Sequence, residues 1–434
     1  RDAQESRGLG DVYKRQFMYS IIDDLILYRN LKFEDTIREF CSLNKDSVDT
    51  SKTIAELLEV AGEYGLDGNL WENILALALA YNENVYSKAT EIIGETKGSI
   101  NTFALHDFKI FRDLFHFVPD IDDELLDAIS HYVGNGRDSK LVNTRVRDRI
   151  LRLSKQLSSA KSDEEFKNIV TEFYKEYGVG KFGLNKAFRI EESNDLNSAN
   201  IIPITRVEHV YLKDIIGYDI QKKKLIENTE SFINGKPANN CLLYGDAGTG
   251  KSSSVKAIVN EYYDRGLRII EIYKHQFRYL SDILEQLKDR NYKFIIYMDD
   301  LSFEESELEY KYLKAILEGG FGKRPENVLI YATSNRRHLI RESFRDKTET
   351  DEELHSRDTV EEKLSLSARF GEKIYYGSPD KKEFNGIVLS LAKKHGIDMD
   401  EKEILAKANM WELSHGGMSG RSATQFITYL QGQK

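Results

Sequence analysis

Between Phe17 and about Tyr177 apolar residues recur at helical spacing. Leu57, Leu58, Ala61 and Tyr64 fall at i, i+1, i+4 and i+7, and Phe108, Phe111, Leu114 and Phe115 at i, i+3, i+6 and i+7. Each run thus turns one apolar stripe toward a core. Asp67-Gly68 and Gly134-Asn135-Gly136 mark places where helices stop. The spacing predicts an all-helical N-terminal domain over residues 17–177. Gly178 to Gly183 is glycine-rich and Glu191 to Asn200 is polar, which predicts a linker over 178–200. Beyond it the period changes. Short runs rich in β-branched residues, at Cys241 to Tyr244, Arg268 to Ile272, Phe294 to Met298, Val328 to Ala332 and Ile374 to Tyr376, alternate with amphipathic helices. That alternation predicts a parallel sheet with helices on both faces. The helix expected over Ser252 to Asp264 carries Val255, Ile258, Val259 and Tyr262 on one face, with Gly266 placed to end it. After Pro379 three helical segments close the chain. The expected architecture is therefore multidomain: an all-α N-terminal domain, an α/β core with a parallel sheet over 201–378, and a small C-terminal helical lid over 379–434.

Composition narrows the class. The chain has 434 residues, 40% hydrophobic and 31% charged, which excludes a disordered or low-complexity protein and fits two or three domains. Cys41 and Cys241 are far apart and no C-x-x-C accompanies them, so neither a disulfide framework nor a zinc site is expected. A net charge of -10 argues against a whole-protein electrostatic hold on nucleic acid, though not against a local basic patch. The longest apolar stretch, Leu70 to Tyr81, is short of the roughly 20 residues of a membrane span. A cytoplasmic protein with no membrane contact is expected. Residues 1–16 have no apolar period, and Asp11-Val12-Tyr13-Lys14-Arg15-Gln16 resembles translated sequencing-adapter DNA. They are read as a non-native or disordered leader.

The chemistry is concentrated after the first of the β-branched runs. Gly245-Asp246-Ala247-Gly248-Thr249-Gly250-Lys251-Ser252 is a full G-x-x-x-x-G-K-S loop between an expected strand and an expected helix. Glycines let backbone N–H groups wrap a phosphate, and the helix N-terminus adds its positive dipole end. Lys251 supplies a mobile cation for the β- and γ-phosphates, and Ser252 a hydroxyl for Mg²⁺, with Ser253 next in the loop. Phe294 to Met298 runs into Asp299-Asp300. Ligands of an open parallel sheet lie beyond the carboxyl ends of its strands, so Asp299 is expected to hold Mg²⁺ from the same crevice. Asp300 is then the group that activates or positions water.

Together with four further segments, these motifs resemble the AAA+ ATPases, and more narrowly a bacterial AAA-type family of unknown function, over about Ile201 to Gln433. Ile216-Gly217-Tyr218-Asp219 resembles the segment that cups adenine. Thr333-Ser334-Asn335 resembles sensor 1, which implies that Asn335 orients the attacking water. Gly420-Arg421-Ser422 resembles sensor 2, which implies that Arg421 reaches the γ-phosphate from the lid. Ser367-Ala368-Arg369-Phe370-Gly371 resembles the arginine-finger segment that enters a neighbouring subunit's site, with Arg336 and Arg337 as rival candidates. The family pattern has Asp-Glu where this chain has Asp299-Asp300. The shorter side chain loses about one carbon–carbon bond of reach, roughly 1.5 Å, which points to slow turnover or to a base supplied by Glu304 or Glu305. The charged stretch Arg345 to Lys363 reads as a solvated surface excursion. The resemblance implies ATP and Mg²⁺ as ligands and hydrolysis of ATP to ADP and phosphate. It also implies a homo-oligomer joined through Arg369 and a protein or nucleic-acid client. The alternative is a slow nucleotide-dependent switch that recruits a partner with little turnover.

Overall fold

The computed structural model describes residues 20–45, 47, 49–134, 142–193, 198–205, 207–208, 210–303, 307, 309–318, 325–335, 339 and 366–433. The leader over 1–16, Glu304, Glu305, Arg336, Arg337 and the charged stretch Arg345 to Lys363 lie outside them. The chain divides into two compact units, one ending at Asn185 and the other beginning at Lys186.

The first unit is helical, with α1 (Glu34–Ser42), α2 (Thr50–Tyr64), α3 (Leu70–Tyr81), α4 (Val85–Ile93), α5 (Ile100–Phe115), α6 (Asp123–Ser130), α7 (Thr144–Ser158), α8 (Asp163–Tyr177) and the short α9 (Gly180–Leu184). α3 is apolar almost all round and is buried from Leu70 through Ala80 except at Glu72, the pattern of a central helix. Its start is fixed by Asn69, whose side chain accepts from the Glu72 N–H. Phe108, Phe111 and Leu114 of α5 join it in one core with Leu57, Ile150 and Phe166. Asp107 is fully buried there, and its carboxylate accepts the N–H groups of Ile26, Leu27 and Tyr28, so the charge is satisfied by backbone donors.

The second unit holds a seven-stranded sheet in the order β2-β1-β4-β5-β6-β3-β7. Its strands are β1 (Ala187–Glu192), β2 (Ala199–Pro203), β3 (Cys241–Gly245), β4 (Leu267–Glu271), β5 (Lys293–Met298), β6 (Val328–Ser334) and β7 (Glu372–Tyr376). Among the described residues only the β1–β2 strand pair of the sheet is antiparallel. The stretch expected as a linker over 178–200 is corrected here: it contains α9, β1 and the start of β2. β1 exposes Arg189, Glu191 and Glu192 and pairs with β4 at only three positions, and β2, at one edge of the sheet, is five residues long and ends in proline. Three of the six β1 residues are therefore exposed and charged, and β2 is short, which hid both among loop-like residues.

The remaining strands match the β-branched runs; β3 to β6 are buried on both faces, as expected of a parallel sheet, while β7 at the other edge buries Ile374 and Tyr376 and exposes Lys373 and Tyr375. Around them lie α10 (Asp219–Ile233), α11 (Lys251–Tyr262), α12 (Leu280–Leu287) and α13 (Glu309–Glu318). α11 buries Val255, Ile258, Val259 and Tyr262 against the sheet. α14 (Lys381–Lys394), α15 (Glu401–Ser414) and α16 (Gly420–Gly432) pack on a separate small core of Phe384, Val388, Ala408, Phe426 and Ile427. Ile216 packs against that core from the sheet side of the chain.

Candidate nucleotide site

The register brings the carboxyl ends of β3, β5 and β6 to one edge, where Tyr244 lies beside Ser334 and Met298 beside Ala332. From β3 the chain leaves to β4, two places beyond β6, and later returns through β6 to the far side of β3 at β7. Such a reversal opens a crevice beyond the strand ends. A cleft of about 750 Å³ lies there, lined by Ala247 to Ser253, Asp299, Asp300, Thr333, Asn335 and Arg421.

The loop's glycines are required by geometry. Gly245 has φ +132°, and a Cβ there would stand 2.1 Å from the Tyr376 carbonyl oxygen. Gly248, at φ +75°, faces the start of α16, and its carbonyl accepts from the Arg421 N–H at 3.2 Å. Asp246 braces the loop from outside: Ser378 N–H and Oγ both donate to its Oδ2 at 2.8 Å. These bonds, the backbone donor first, hold its carboxyl below the ordinary range.

Within the cleft Lys251, Asn335, Asp300, Asp299 and Ser252 are joined, through Thr333, in one continuous chain of hydrogen bonds. Lys251 Nζ donates to the carbonyls of Gly245 (3.0 Å) and Asp246 (2.6 Å) and to Asn335 Oδ1 (3.0 Å). Asn335 Nδ2 donates to Asp300 Oδ1 at 2.7 Å. The Asp300 N–H donates to Thr333 Oγ1 at 2.9 Å, and that hydroxyl donates to Asp299 Oδ1 at 2.6 Å. Ser252 Oγ and Tyr297 OH each donate to the same Asp299 oxygen at 2.7 Å. Desolvation would raise the Asp299 carboxyl, but the hydroxyls of Thr333, Ser252 and Tyr297 outweigh it and hold the group below the ordinary carboxylate range. Burial lowers the Lys251 ammonium, against the opposing pull of Asp246, Asp300 and Asp299. The adjoining hydroxyl and carboxylate of Ser252 and Asp299 are hard oxygen donors of the kind Mg²⁺ takes.

On the far side, Ile216 and Tyr218 line the cleft with Ile387 and Leu391 of α14, while Gly217 (φ +77°) turns the chain between the first two. Asp214, another lining residue, receives Lys394 Nζ at 2.7 Å, so one ion pair ties the core to the lid. Gly245 and Asp246 support the loop without lining the cleft. Arg369 is not brought to the cleft; its guanidinium donates to Glu318 Oε1 of α13 at 3.0 Å. Tyr297 and Thr333 were not singled out by the sequence, because a hydroxyl within a β-branched run looks like any strand residue. Ile387, Leu391 and Thr424 look like ordinary lid-helix positions.

Fold and site together define a P-loop protein of the AAA+ class. The chain belongs to the family described as "Protein of unknown function (DUF815)", whose model matches residues 184–434. A curated relative, the replication factor C large subunit of Staphylothermus marinus, is 44% identical over 73 residues, which is 17% of this chain and 16% of that protein. The chain thus spans under a fifth of that relative's length. Two solved structures of Thermotoga maritima RuvB point mutants are also similar. One is 15% identical with a TM-score of 0.37, over 51% of this chain and 65% of that one. The other is 13% identical with a TM-score of 0.33, over 51% and 72%. Among the described residues no helix is long and apolar enough to cross a membrane.

Proposed function

We propose that this chain binds ATP in the cleft with Mg²⁺ and hydrolyses it to ADP and phosphate. The observation that carries the reading is the continuous hydrogen-bonded chain of Lys251, Asn335, Asp300, Thr333, Asp299 and Ser252 at the carboxyl ends of β3, β5 and β6. Lys251 exchanges its carbonyl and amide partners for β- and γ-phosphate oxygens, and the amides of Ala247 to Ser253 cradle the same groups. Ser252 and Asp299 would hold Mg²⁺, which would supply positive charge against the phosphates. Asn335 orients the attacking water and Asp300 takes its proton, while the bond from the γ-phosphorus to ADP breaks. Arg421, at the first turn of α16, donates to the γ-phosphate from the lid. Ile216, Tyr218, Ile387 and Leu391 supply apolar walls for the flat face of adenine. Arg369 serves the site of a neighbouring copy in a homo-oligomer, and the helical first unit handles a protein or nucleic-acid client.

The test compares three proteins. Lys251→Ala is expected to weaken MgADP binding by at least about 10²-fold by titration calorimetry, as befits a charge-assisted phosphate contact. Asp300→Asn is expected to keep binding and lose about 10² to 10⁴ in turnover, the scale of general-base catalysis. Wild-type protein that binds no magnesium nucleotide refutes the reading. A second reading, a slow switch, is favoured by one contact: the short Asp300 carboxylate is already engaged by Asn335. Turnover below roughly 10⁻³ s⁻¹ selects the switch.

A further inference from the structure

Thr333 stands next to last in β6 and is 2% exposed. A buried hydroxyl has one proton to give and lone pairs to offer, and both must find partners. Here the proton goes to Asp299 Oδ1 at 2.6 Å, and the lone pair takes the Asp300 N–H at 2.9 Å. The Thr333 carbonyl accepts the Leu301 N–H at 2.7 Å. One residue therefore pins three consecutive positions after β5. The middle one is unusual: Asp300 has φ +49°, in the left-handed region, a conformation that a neighbouring bond must hold in place.

We propose that Thr333 is a positioning residue for both carboxylates of the nucleotide site. Its hydroxyl fixes the Asp299 oxygen that faces Ser252 and, through the Asp300 N–H, the backbone turn that aims Asp300 at Asn335. This inference rests on the nucleotide reading above and adds to it a division of labour. Tyr297 OH holds the same Asp299 oxygen and makes no bond to the Asp300 backbone. Tyr297 therefore supports the Asp299 oxygen alone, whereas Thr333 supports that oxygen and the Asp300 turn together.

The experiment measures wild type, Thr333→Val, Thr333→Ser and Tyr297→Phe. Each is titrated by calorimetry with ADP in excess EDTA and with ADP over a range of Mg²⁺, and each is assayed for ATP turnover at saturating Mg²⁺. Thr333→Val keeps the shape and removes the hydroxyl. It is expected to raise the half-saturating Mg²⁺ concentration about 10- to 100-fold, the usual effect of deleting a residue that orients a metal ligand. Its turnover at saturating Mg²⁺ is expected to fall at least about 10-fold, as transition-state interactions alone are lost, with metal-free ADP affinity unchanged. Thr333→Ser restores both. Tyr297→Phe, which removes a second donor to the same Asp299 oxygen, is expected to raise the Mg²⁺ requirement. Wild-type Mg²⁺ dependence in Thr333→Val overturns the proposal. So does equal loss of metal-free ADP affinity, or a serine variant no better than valine. If Thr333→Val does not melt cooperatively, Thr333→Ala takes its place under the same criteria. Wild-type protein that binds no nucleotide in either titration instead brings down the underlying reading.

Discussion

At Asp300 the backbone helps choose the side chain. Its φ of +49° lies in a region that short polar residues such as Asp and Asn tolerate best. That gives a physical reason for aspartate where the AAA+ pattern has glutamate, and Asn335 rather than length supplies its aim. Lys251 makes a prediction at the same scale. Its folded-state pKa lies below the ordinary 10.5 because burial disfavours the charge. Between the folded value and 10.5 the unfolded chain binds more protons than the folded one, so stability contributed by this group rises with pH there. Phosphate affinity moves the other way, because the cation is lost earlier than in an exposed lysine. Calorimetric ADP affinity and chemical denaturation of wild type and Lys251→Met, across that alkaline window, should show both trends in wild type and neither in the variant. Lys251 itself was legible in the sequence because a phosphate loop demands fixed residue types at fixed spacing. Asp299, Asp300 and Asn335 were legible because they close apolar strands. Thr333 and Tyr297 were not, since what distinguishes them is the direction of a hydroxyl across neighbouring strands.

Among the elements, legibility followed burial. β3 to β6 are buried enough to appear as apolar runs, whereas β1 interleaves apolar with charged positions, β2 is short, and both merge with a supposed linker. The lid shows how much a single cap can matter. Ser419 accepts the Ser422 N–H, and Ser422 Oγ receives the Ser419 N–H, forming a reciprocal box at the start of α16. The next residues carry Arg421, whose N–H reaches Gly248 of the phosphate loop. Ser419→Ala should destabilise this helix by about 1 kcal/mol, the ordinary cost of a lost N-cap. Native-state amide exchange should report the loss as faster opening of the first turn of α16, with α11 unchanged. MgADP affinity should fall as the lid loosens. Unchanged exchange at residues 421–423 would show that the cap does not hold the lid's contact with the loop.

For the whole molecule, the proposed division of the site between copies makes the most demanding prediction. One chain brings Lys251, Ser252, Asp299, Asp300, Asn335 and Arg421 to its own cleft, while Arg369 lies elsewhere, paired with Glu318. Both members of that pair are partly exposed, with side-chain exposures of 47% and 35%. Breaking it should therefore cost under about 1 kcal/mol of stability. Arg369→Ala should accordingly melt like wild type. An arginine finger in trans, however, contributes about 10³ to 10⁵ in rate, so the same variant should have almost no turnover. Mixing decides where the arginine acts. Lys251→Ala chains lack a phosphate site but keep Arg369, and Arg369→Ala chains have the reverse defect. In a head-to-tail assembly formed at random from equal amounts, about a quarter of the sites pair an intact Lys251 with a neighbour's intact Arg369. Turnover should recover toward that fraction of wild type on mixing two inactive proteins. If the mixture stays inactive while light scattering shows mixed assemblies with ATP, Arg369 does not act across the interface.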